Sequence, residues 1–227
     1  MAEPDATNPA GANFGGALPD TLPIFPLTGV LLLPRGRLPL NIFEPRYLAM
    51  TRDAMAGERL IGMVQPCEPP IREMNPAVYP TGCAGRITSF SETDDGRFLI
   101  VLTGVSRFRI REELPLLSGY RRVVPEWDDF AADREPDELG FDRARLTQGL
   151  RNFFGQRQVQ ADWSAIDQAP GEHLVTSIAM MCPFAPSEKQ ALLEAKTLGE
   201  RANLLTALIE MSLSGPPAAP EAGATRH

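Results

Sequence analysis

The sequence has few of the side chains on which most metal sites and covalent catalytic sites depend. Its 227 residues include two histidines, His173 and His227, and three cysteines, Cys67, Cys83 and Cys182. The cysteines show no Cys-x-x-Cys spacing, and their odd number does not suit a disulfide framework. Zinc sites take three or four convergent ligands, so a single histidine outside the terminal segment is too few. We therefore expect no metal and predict that the cysteines are buried thiols.

Signals for nucleotide binding and for membrane insertion are also missing. No Gly-x-x-x-x-Gly-Lys-Ser/Thr turn occurs, and both lysines, Lys189 and Lys196, lie in a predicted helical region. The apolar runs Val30–Leu33 and Phe98–Leu102 are far shorter than the roughly 20 residues that cross a bilayer. Residues 1–20 carry no lysine, arginine or apolar stretch typical of a signal peptide. We expect no cofactor, no membrane contact and a cytoplasmic location.

Positive charge is scarce and unevenly placed. The net charge is -7, yet residues 21–125 hold 13 arginines against 10 acidic residues, whereas residues 126–215 hold 8 basic residues against 15 acidic ones. Nucleic-acid binding draws most of its affinity from phosphate neutralisation and usually needs a dense basic surface. Nucleic acid is therefore not the expected partner.

The first half of the chain has the pattern of short strands. Asp94-Asp95-Gly96 lies between two such segments and predicts a hairpin, because glycine tolerates the positive φ of a tight turn. In the segment Val105–Arg111, Ser106, Phe108 and Ile110 alternate with Arg107, Arg109 and Arg111, which predicts one core face and one solvated basic face. So many short strands predict a small β-barrel. The predicted strands are Leu22–Leu27, Val30–Leu33, Leu38–Phe43, Arg59–Gln65, Cys83–Ser91, Arg97–Thr103, Val105–Arg111 and Tyr120–Val124.

Helices are predicted once within the strands and again after them. Pro45 suits the first position of a helix that ends at Gly57. After residue 141, apolar residues recur at helical spacing and predict a bundle of three or four helices. Capping boxes are predicted for Ser187 with Gln190 and for Thr197 with Glu200. The predicted organisation is α+β: a disordered tail (1–20), a barrel domain with one inserted helix (21–125), a solvated acidic linker (126–140), a helical bundle (141–214) and a second disordered tail (215–227).

A series of short motifs runs through the strand region in a fixed order. The most specific of them surrounds the start of the inserted helix, where Glu44 favours the positive end of the helix dipole and Arg46 offers a planar fork of donors. The motifs are Leu22-Pro-Ile-Phe-Pro-Leu27, Leu32-Leu-Pro-Arg-Gly36, Leu38-Pro-Leu-Asn-Ile-Phe-Glu-Pro-Arg-Tyr47, Gly82-Cys-Ala-Gly-Arg-Ile87, Asp95-Gly-Arg97 and Gly104-Val-Ser-Arg-Phe-Arg-Ile110.

Together these motifs resemble the substrate-binding domain family found at the front of Lon proteases. The resemblance covers about Leu22 to Val124 and departs from the family at Asn41, where a histidine is frequent. It implies a barrel like that of pseudouridine synthase and archaeosine transglycosylase (PUA-like), followed by helices. It also implies a module that selects protein substrates. The ATPase and Ser-Lys peptidase that accompany it in Lon have no counterpart in these 227 residues, so we expect a stand-alone, non-catalytic member of the family.

Three functions follow as hypotheses. The first is a module that binds unfolded or extended protein segments, as an adaptor in protein quality control, with a protease or chaperone as further partner and a monomer or weak dimer as its state. The second is an RNA-binding protein that uses the arginine row of Val105–Arg111 with Arg121 and Arg122. The third is a hydrolase acting through His173 or a pair of carboxylates. The candidate binding surface consists of Pro34, Arg35, Glu44, Arg46, Tyr47 and Arg107.

Overall fold

The structure is a computed structural model that describes residues 18–67, 75–135 and 140–214. Its fold is mixed α/β, with the strands in the first half of the chain and most helices in the second half. Residues 1–17 of the first predicted tail, the whole second predicted tail (215–227) and residues 136–139 of the predicted linker lie outside the described residues. The six strands are β1 (Leu22–Pro26), β2 (Arg37–Ile42), β3 (Leu60–Val64), β4 (Thr81–Glu92), β5 (Phe98–Leu117) and β6 (Tyr120–Glu126).

The described helices comprise one between β2 and β3 and a group after β6. The first begins at Pro45 and has Glu44 and Gly57 at its caps, as predicted. The α-helices are α1 (Pro45–Ala56), α2 (Arg143–Gln156), α3 (Trp163–Gln168), α4 (Gly171–Met181), α5 (Pro186–Glu194) and α6 (Leu198–Ser214), and a 3-10 helix spans Asp128–Arg134.

The strands pair in the order β2-β5-β4-β3-β1-β6, and β6 pairs again with β5. Five strands thus form a closed circuit of hydrogen-bonded neighbours, while β2 pairs with β5 outside that circuit. A small hydrophobic cluster draws residues from each strand of the circuit, with Phe108 of β5 among them. A larger cluster joins the sheet to the helices, since it contains Leu31–Leu33 as well as Leu150, Leu192 and Leu205.

The prediction of a strand at Val30–Leu33 is wrong. This segment is a loop between Gly29 and Arg35, both of which have positive φ, 72° and 62°. The loop presses Leu33 against β5 so closely that a Cβ on Gly104 would lie 2.0 Å from the Leu33 carbonyl oxygen. Its leucines are buried between the sheet and the helices. The apolar run therefore reflects packing of the loop between these two layers and does not indicate a strand.

Three further sequence predictions need correction. The two strands predicted at Arg97–Thr103 and Val105–Arg111 are one strand, β5, which passes through Gly104 without a break. Five α-helices, not three or four, lie within 140–214. The cap of α5 is Ala185, whose N–H donates to Glu188 at 2.7 Å, in place of the predicted Ser187 and Gln190 pair. At the start of α6 the hydroxyl half of the predicted capping box is confirmed, because Thr197 Oγ1 accepts from the Glu200 N–H at 3.1 Å. The Glu200 carboxylate accepts from the Lys196 N–H at 2.9 Å, one residue before the predicted donor.

Arg107 joins the sheet to the helices. Its Nη2 and Nε donate to the Asp133 carboxylate at 2.7 and 2.9 Å, and its backbone N–H donates to the same group at 2.8 Å. Its Nη1 donates to the Leu193 carbonyl in α5 at 2.9 Å, and the guanidinium lies 4.6 Å from the centre of the Phe130 ring. One side chain therefore connects β5, the 3-10 helix and α5.

The same contacts overturn two predictions. Arg107 was expected on a solvated face and in the binding surface, yet it is 3% exposed, because the 3-10 helix covers that face of β5. Residues 126–140 were expected to be solvated, yet Phe130 and Asp133 within them are buried. Burying a guanidinium is tolerated here because the carboxylate and carbonyls satisfy its donors.

We predict that Asp133→Ala destabilises the fold by about 3–5 kcal/mol, since it leaves a buried guanidinium without its counter-charge. The matched control is Arg109→Ala, which removes the exposed pair Arg109–Asp129 two residues along the same strand (N–O 3.1 Å). That control should cost no more than about 1 kcal/mol. Urea unfolding followed by circular dichroism measures both, and equal losses for the two variants would contradict the assigned role of Arg107.

The cysteines provide a second prediction. Cys83 and Cys182 are buried as expected, whereas Cys67 is exposed, which corrects the sequence-based prediction for that residue. Burial raises the pKa of Cys83, and it raises the pKa of Cys182 to about 11, so neither forms thiolate at neutral pH.

Ellman's reagent at pH 8 should therefore label one thiol rapidly in the native protein and all three in denaturant. Cys67→Ser should abolish the rapid phase. Fast labelling that persists in this variant would show that a thiol assigned to the core is accessible.

Candidate functional site

The six candidate residues fall in two places. Arg46 and Tyr47 line a pocket at the start of α1, and Glu44 bonds to Arg46 beside it. Arg107 lies instead at the junction of the sheet with the helices, together with Pro34 and Arg35. The structure therefore does not bring all six residues into one surface.

The junction group is structural in its contacts. Pro34 is buried, and Arg35 Nη1 donates to the Asp133 carbonyl at 2.8 Å. Arg35 also pairs with Glu172 of α4. Together with Arg107, these contacts fix the 3-10 helix between β5 and the helices.

The pocket lies between the loop after β1, the first turn of α1 and the hairpin that joins β5 to β6. Its volume is about 260 Å³. A tight turn closes one side, where Ser118 and Gly119 have φ values of 49° and 84° and a Cβ on Gly119 would contact Arg46 at 3.4 Å. The lining is mainly proline, leucine and tyrosine, with two arginines: Pro26, Leu27, Thr28, Arg46, Tyr47, Pro66, Pro76, Gly119, Tyr120 and Arg121.

The pocket's arginines are held by carboxylates of the same chain. Arg121 makes two bonds to Glu113, at 2.6 and 2.7 Å, and donates to the Pro76 carbonyl at 2.8 Å. Arg46 bonds to Glu44 at 3.0 Å and stacks over the Tyr47 ring with its guanidinium carbon 4.5 Å from the ring centre. The charges are thus paired, and the pocket has an apolar and aromatic character.

Both tyrosines of the pocket stay neutral near pH 7. Burial raises the pKa of Tyr47, whose ring packs 4.2 Å from that of Phe25, centre to centre. Burial and a hydrogen bond of 2.8 Å to Asp53 raise the pKa of Tyr120 to about 12. The phenol of Tyr120 therefore acts as a donor that fixes its ring, and it is not poised as a base.

Sequence reasoning located Arg46 and Tyr47 but missed the rest of the lining. Thr28, Pro66, Pro76 and Tyr120 come from four separate segments, and no local spacing connects them. The one sequence signal available was Ser118-Gly119 between two apolar segments, a pair typical of a two-residue hairpin that would have placed Tyr120 beside a turn.

The structure gives little support for catalytic chemistry in the described ranges. His173 is exposed on α4, and no hydrogen bond or ion pair links it to another described side chain. No group of three or more His, Cys, Asp or Glu side chains that could hold a metal ion occurs within 18–67, 75–135 and 140–214. None of the helices in these ranges is both long enough and apolar enough to cross a membrane.

Comparison with known proteins identifies relatives over most of the chain. A family model described as the ATP-dependent protease La (LON) substrate-binding domain matches residues 21–211. Lon protease 2 of Myxococcus xanthus is 27% identical over 213 residues, which is 92% of this chain and 26% of that protein. Lon protease of Parabacteroides distasonis is 29% identical over 189 residues, 81% of this chain and 23% of that protein. The chain thus spans about a quarter of the length of these relatives.

Two solved structures share the fold. The Lon N-terminal domain protein from Xanthomonas campestris superposes with a TM-score of 0.58 at 24% identity, covering 82% of this chain and 97% of that one. The N-terminal domain of Mycobacterium avium complex Lon protease gives a TM-score of 0.59 at 17% identity, covering 84% and 98%. Since the family match extends over most of the sequence and includes the helices as well as the sheet, the chain belongs to the Lon substrate-binding domain family.

Proposed function

We propose that this protein binds unfolded or extended segments of other proteins. The observation that carries the proposal is the pocket at α1, whose lining is apolar and aromatic and whose arginines are paired with Glu44 and Glu113. A volume of about 260 Å³ suits one large apolar side chain rather than a folded surface. Apolar side chains become accessible mainly in unfolded chains, because folded domains bury most of them.

The family supports the same proposal. Its model is named for substrate binding in an ATP-dependent protease, and the relatives named above are Lon proteases. For this chain we propose substrate recognition without catalysis, as an adaptor in protein quality control in the cytoplasm, with a protease or chaperone as further partner. We also infer that the closed circuit of five strands is a small PUA-like barrel and that α2–α6 form a bundle against it.

The RNA-binding hypothesis is weakened by the burial of its arginines. Arg107 is bound to Asp133, and Arg121 is bound to Glu113 with 7% of its side chain exposed. Arg109 is exposed but pairs with Asp129. Arg111 is exposed and Arg122 is half-buried, and neither has a carboxylate partner among the described residues. Two unpaired charges fall short of the dense basic surface that RNA binding usually needs.

We predict that the purified protein binds a subset of peptides on an array derived from denatured proteins, with preference for peptides that contain aromatic or large aliphatic residues. Uniform absence of signal would refute the proposed function.

A variant that fills the pocket tests its location. Thr28 is exposed at the pocket, so Thr28→Trp should place an indole in the space without disturbing the core. Affinity for an array-selected peptide should fall at least about tenfold, the loss expected when a binding pocket is closed. Thr28→Ser is the matched control and should bind as the unaltered protein does. Equal affinities in fluorescence anisotropy for Thr28→Trp and Thr28→Ser would place the binding site elsewhere.

A further inference from the structure

Among the described strands, none pairs with the second edge of β2. In the described sheet its neighbour is β5, in antiparallel register with Pro39 opposite Val101 and Asn41 opposite Leu99. The backbone N–H and carbonyl groups of a strand alternate in direction, so those of every second residue in β2 point away from β5. An unpaired edge is a template for another extended chain.

The residues whose backbone N–H and carbonyl groups point away from β5 can be identified. The Gly36 carbonyl accepts from the Gly104 N–H at 2.8 Å. Because the direction of the backbone groups alternates along a strand, the N–H and carbonyl groups of Leu38, Leu40 and Ile42 also point toward β5. Pro39 agrees with this phase, because it has no N–H to donate to β5. The free edge therefore offers the N–H groups of Arg37 and Asn41 and the carbonyls of Arg37, Pro39 and Asn41.

Exposed or partly exposed apolar side chains flank this edge on both faces of the sheet. On the inner face, Leu38 and Leu40 pack against the larger hydrophobic cluster but remain partly exposed. On the outer face, Pro39 is exposed and Leu99 is 46% exposed, and Phe43, just after the strand, is 47% exposed. An added strand with apolar side chains would cover both faces.

Charge at the edge favours one type of occupant. Arg37 is exposed and forms no ion pair or hydrogen bond with another described side chain. The side chains of Pro39, Asn41, Leu99 and Val101, which share its face, carry no charge. An acidic residue at the Arg37 end would supply the missing counter-ion.

A second copy of the protein fits the edge less well. Two β2 edges paired about a two-fold axis would each contribute Pro39, so the shared ladder would lack two donors, whereas a peptide meets Pro39 once. The position of Pro39 thus discourages self-pairing, a common device at natural sheet edges, while it leaves the donors of Arg37 and Asn41 in place.

From these observations we infer that β2 binds an extended protein segment as an additional strand, and that the segment is apolar with an acidic residue at the Arg37 end. This inference rests on the proposed function and specifies how the segment is recognised. Main-chain hydrogen bonds would supply affinity with little dependence on sequence, as in other cases of strand addition.

The test uses the full chain and a fluorescein-labelled octapeptide of alternating leucine and valine with one terminal glutamate, and binding is followed by fluorescence anisotropy. Asn41→Pro removes a donor from the free edge, and Asn41→Ala retains it. We expect at least a tenfold loss of affinity for Asn41→Pro and no loss for Asn41→Ala. Arg37→Gln should weaken binding several-fold and reduce its dependence on salt.

Modified peptides keep the test independent of the folding of the variants. Methylating the backbone nitrogens of alternate residues blocks one edge of the peptide strand. The glutamate fixes the direction of the peptide, so methylation of one alternate set should abolish binding and methylation of the other set should not.

The possible outcomes separate the two proposals. Equal tolerance of both methylated sets, with Asn41→Pro binding normally, would overturn strand addition and leave the proposed function intact. If the octapeptide and every array peptide fail to bind, the proposed function fails as well. If the protein forms a stable dimer that Asn41→Pro dissociates, the occupant of the β2 edge is a second copy of the chain, and the inference of a bound peptide is overturned.

Discussion

The ion pair between Arg107 and Asp133 is the contact on which the arrangement of sheet and helices depends. Arg107 belongs to β5, the strand that pairs with β2, β4 and β6, and its guanidinium reaches the last turn of α5. Asp133 holds that guanidinium and, through its carbonyl, also receives Arg35 from the loop before β2. Because both charges are buried, loss of either partner would leave the other buried and unpaired at a large cost in free energy, so the pair favours one position of the helices on the sheet.

This arrangement determines which surfaces of the sheet remain exposed. The 3-10 helix covers the face of β5 that carries Arg107, whereas Arg37, Pro39 and Asn41 of β2 remain exposed. β2 ends at Ile42 and α1 begins at Pro45, so the free sheet edge leads almost directly into the helix that carries Arg46 and Tyr47. A strand edge that offers main-chain bonds and a nearby pocket that accepts one apolar side chain suit the same kind of ligand, an unfolded chain.

The sequence predicted local structure well and long-range packing poorly. Pro45 and Gly57 marked the ends of α1, because helix termini depend on residues close in the chain. Alternation along β5 could not show that Arg107 is buried, because the segment that covers it lies more than 20 residues away and was itself rich in acidic residues. The segment Val30–Leu33 has a composition typical of a buried strand, and only its position between the sheet and the helices explains why it is a loop. For the same reason, the sequence predicted only part of the pocket lining. Arg46 and Tyr47 lie next to each other at a helix start, whereas Pro66, Pro76 and Tyr120 line the pocket only because the fold brings distant segments together.

The central claim is that unfolded chains bind on the sheet at β2 and α1. Hydrogen exchange of the whole protein, measured at single-amide resolution with and without a reduced, carboxymethylated protein as ligand, tests it most directly. With the unfolded ligand we expect slower exchange at the Arg37 and Asn41 amides and in the loop at Leu27 and Thr28. The native, folded form of that ligand protein should leave these exchange rates unchanged. Identical exchange with and without the unfolded ligand, or protection confined to α2–α6, would contradict the account.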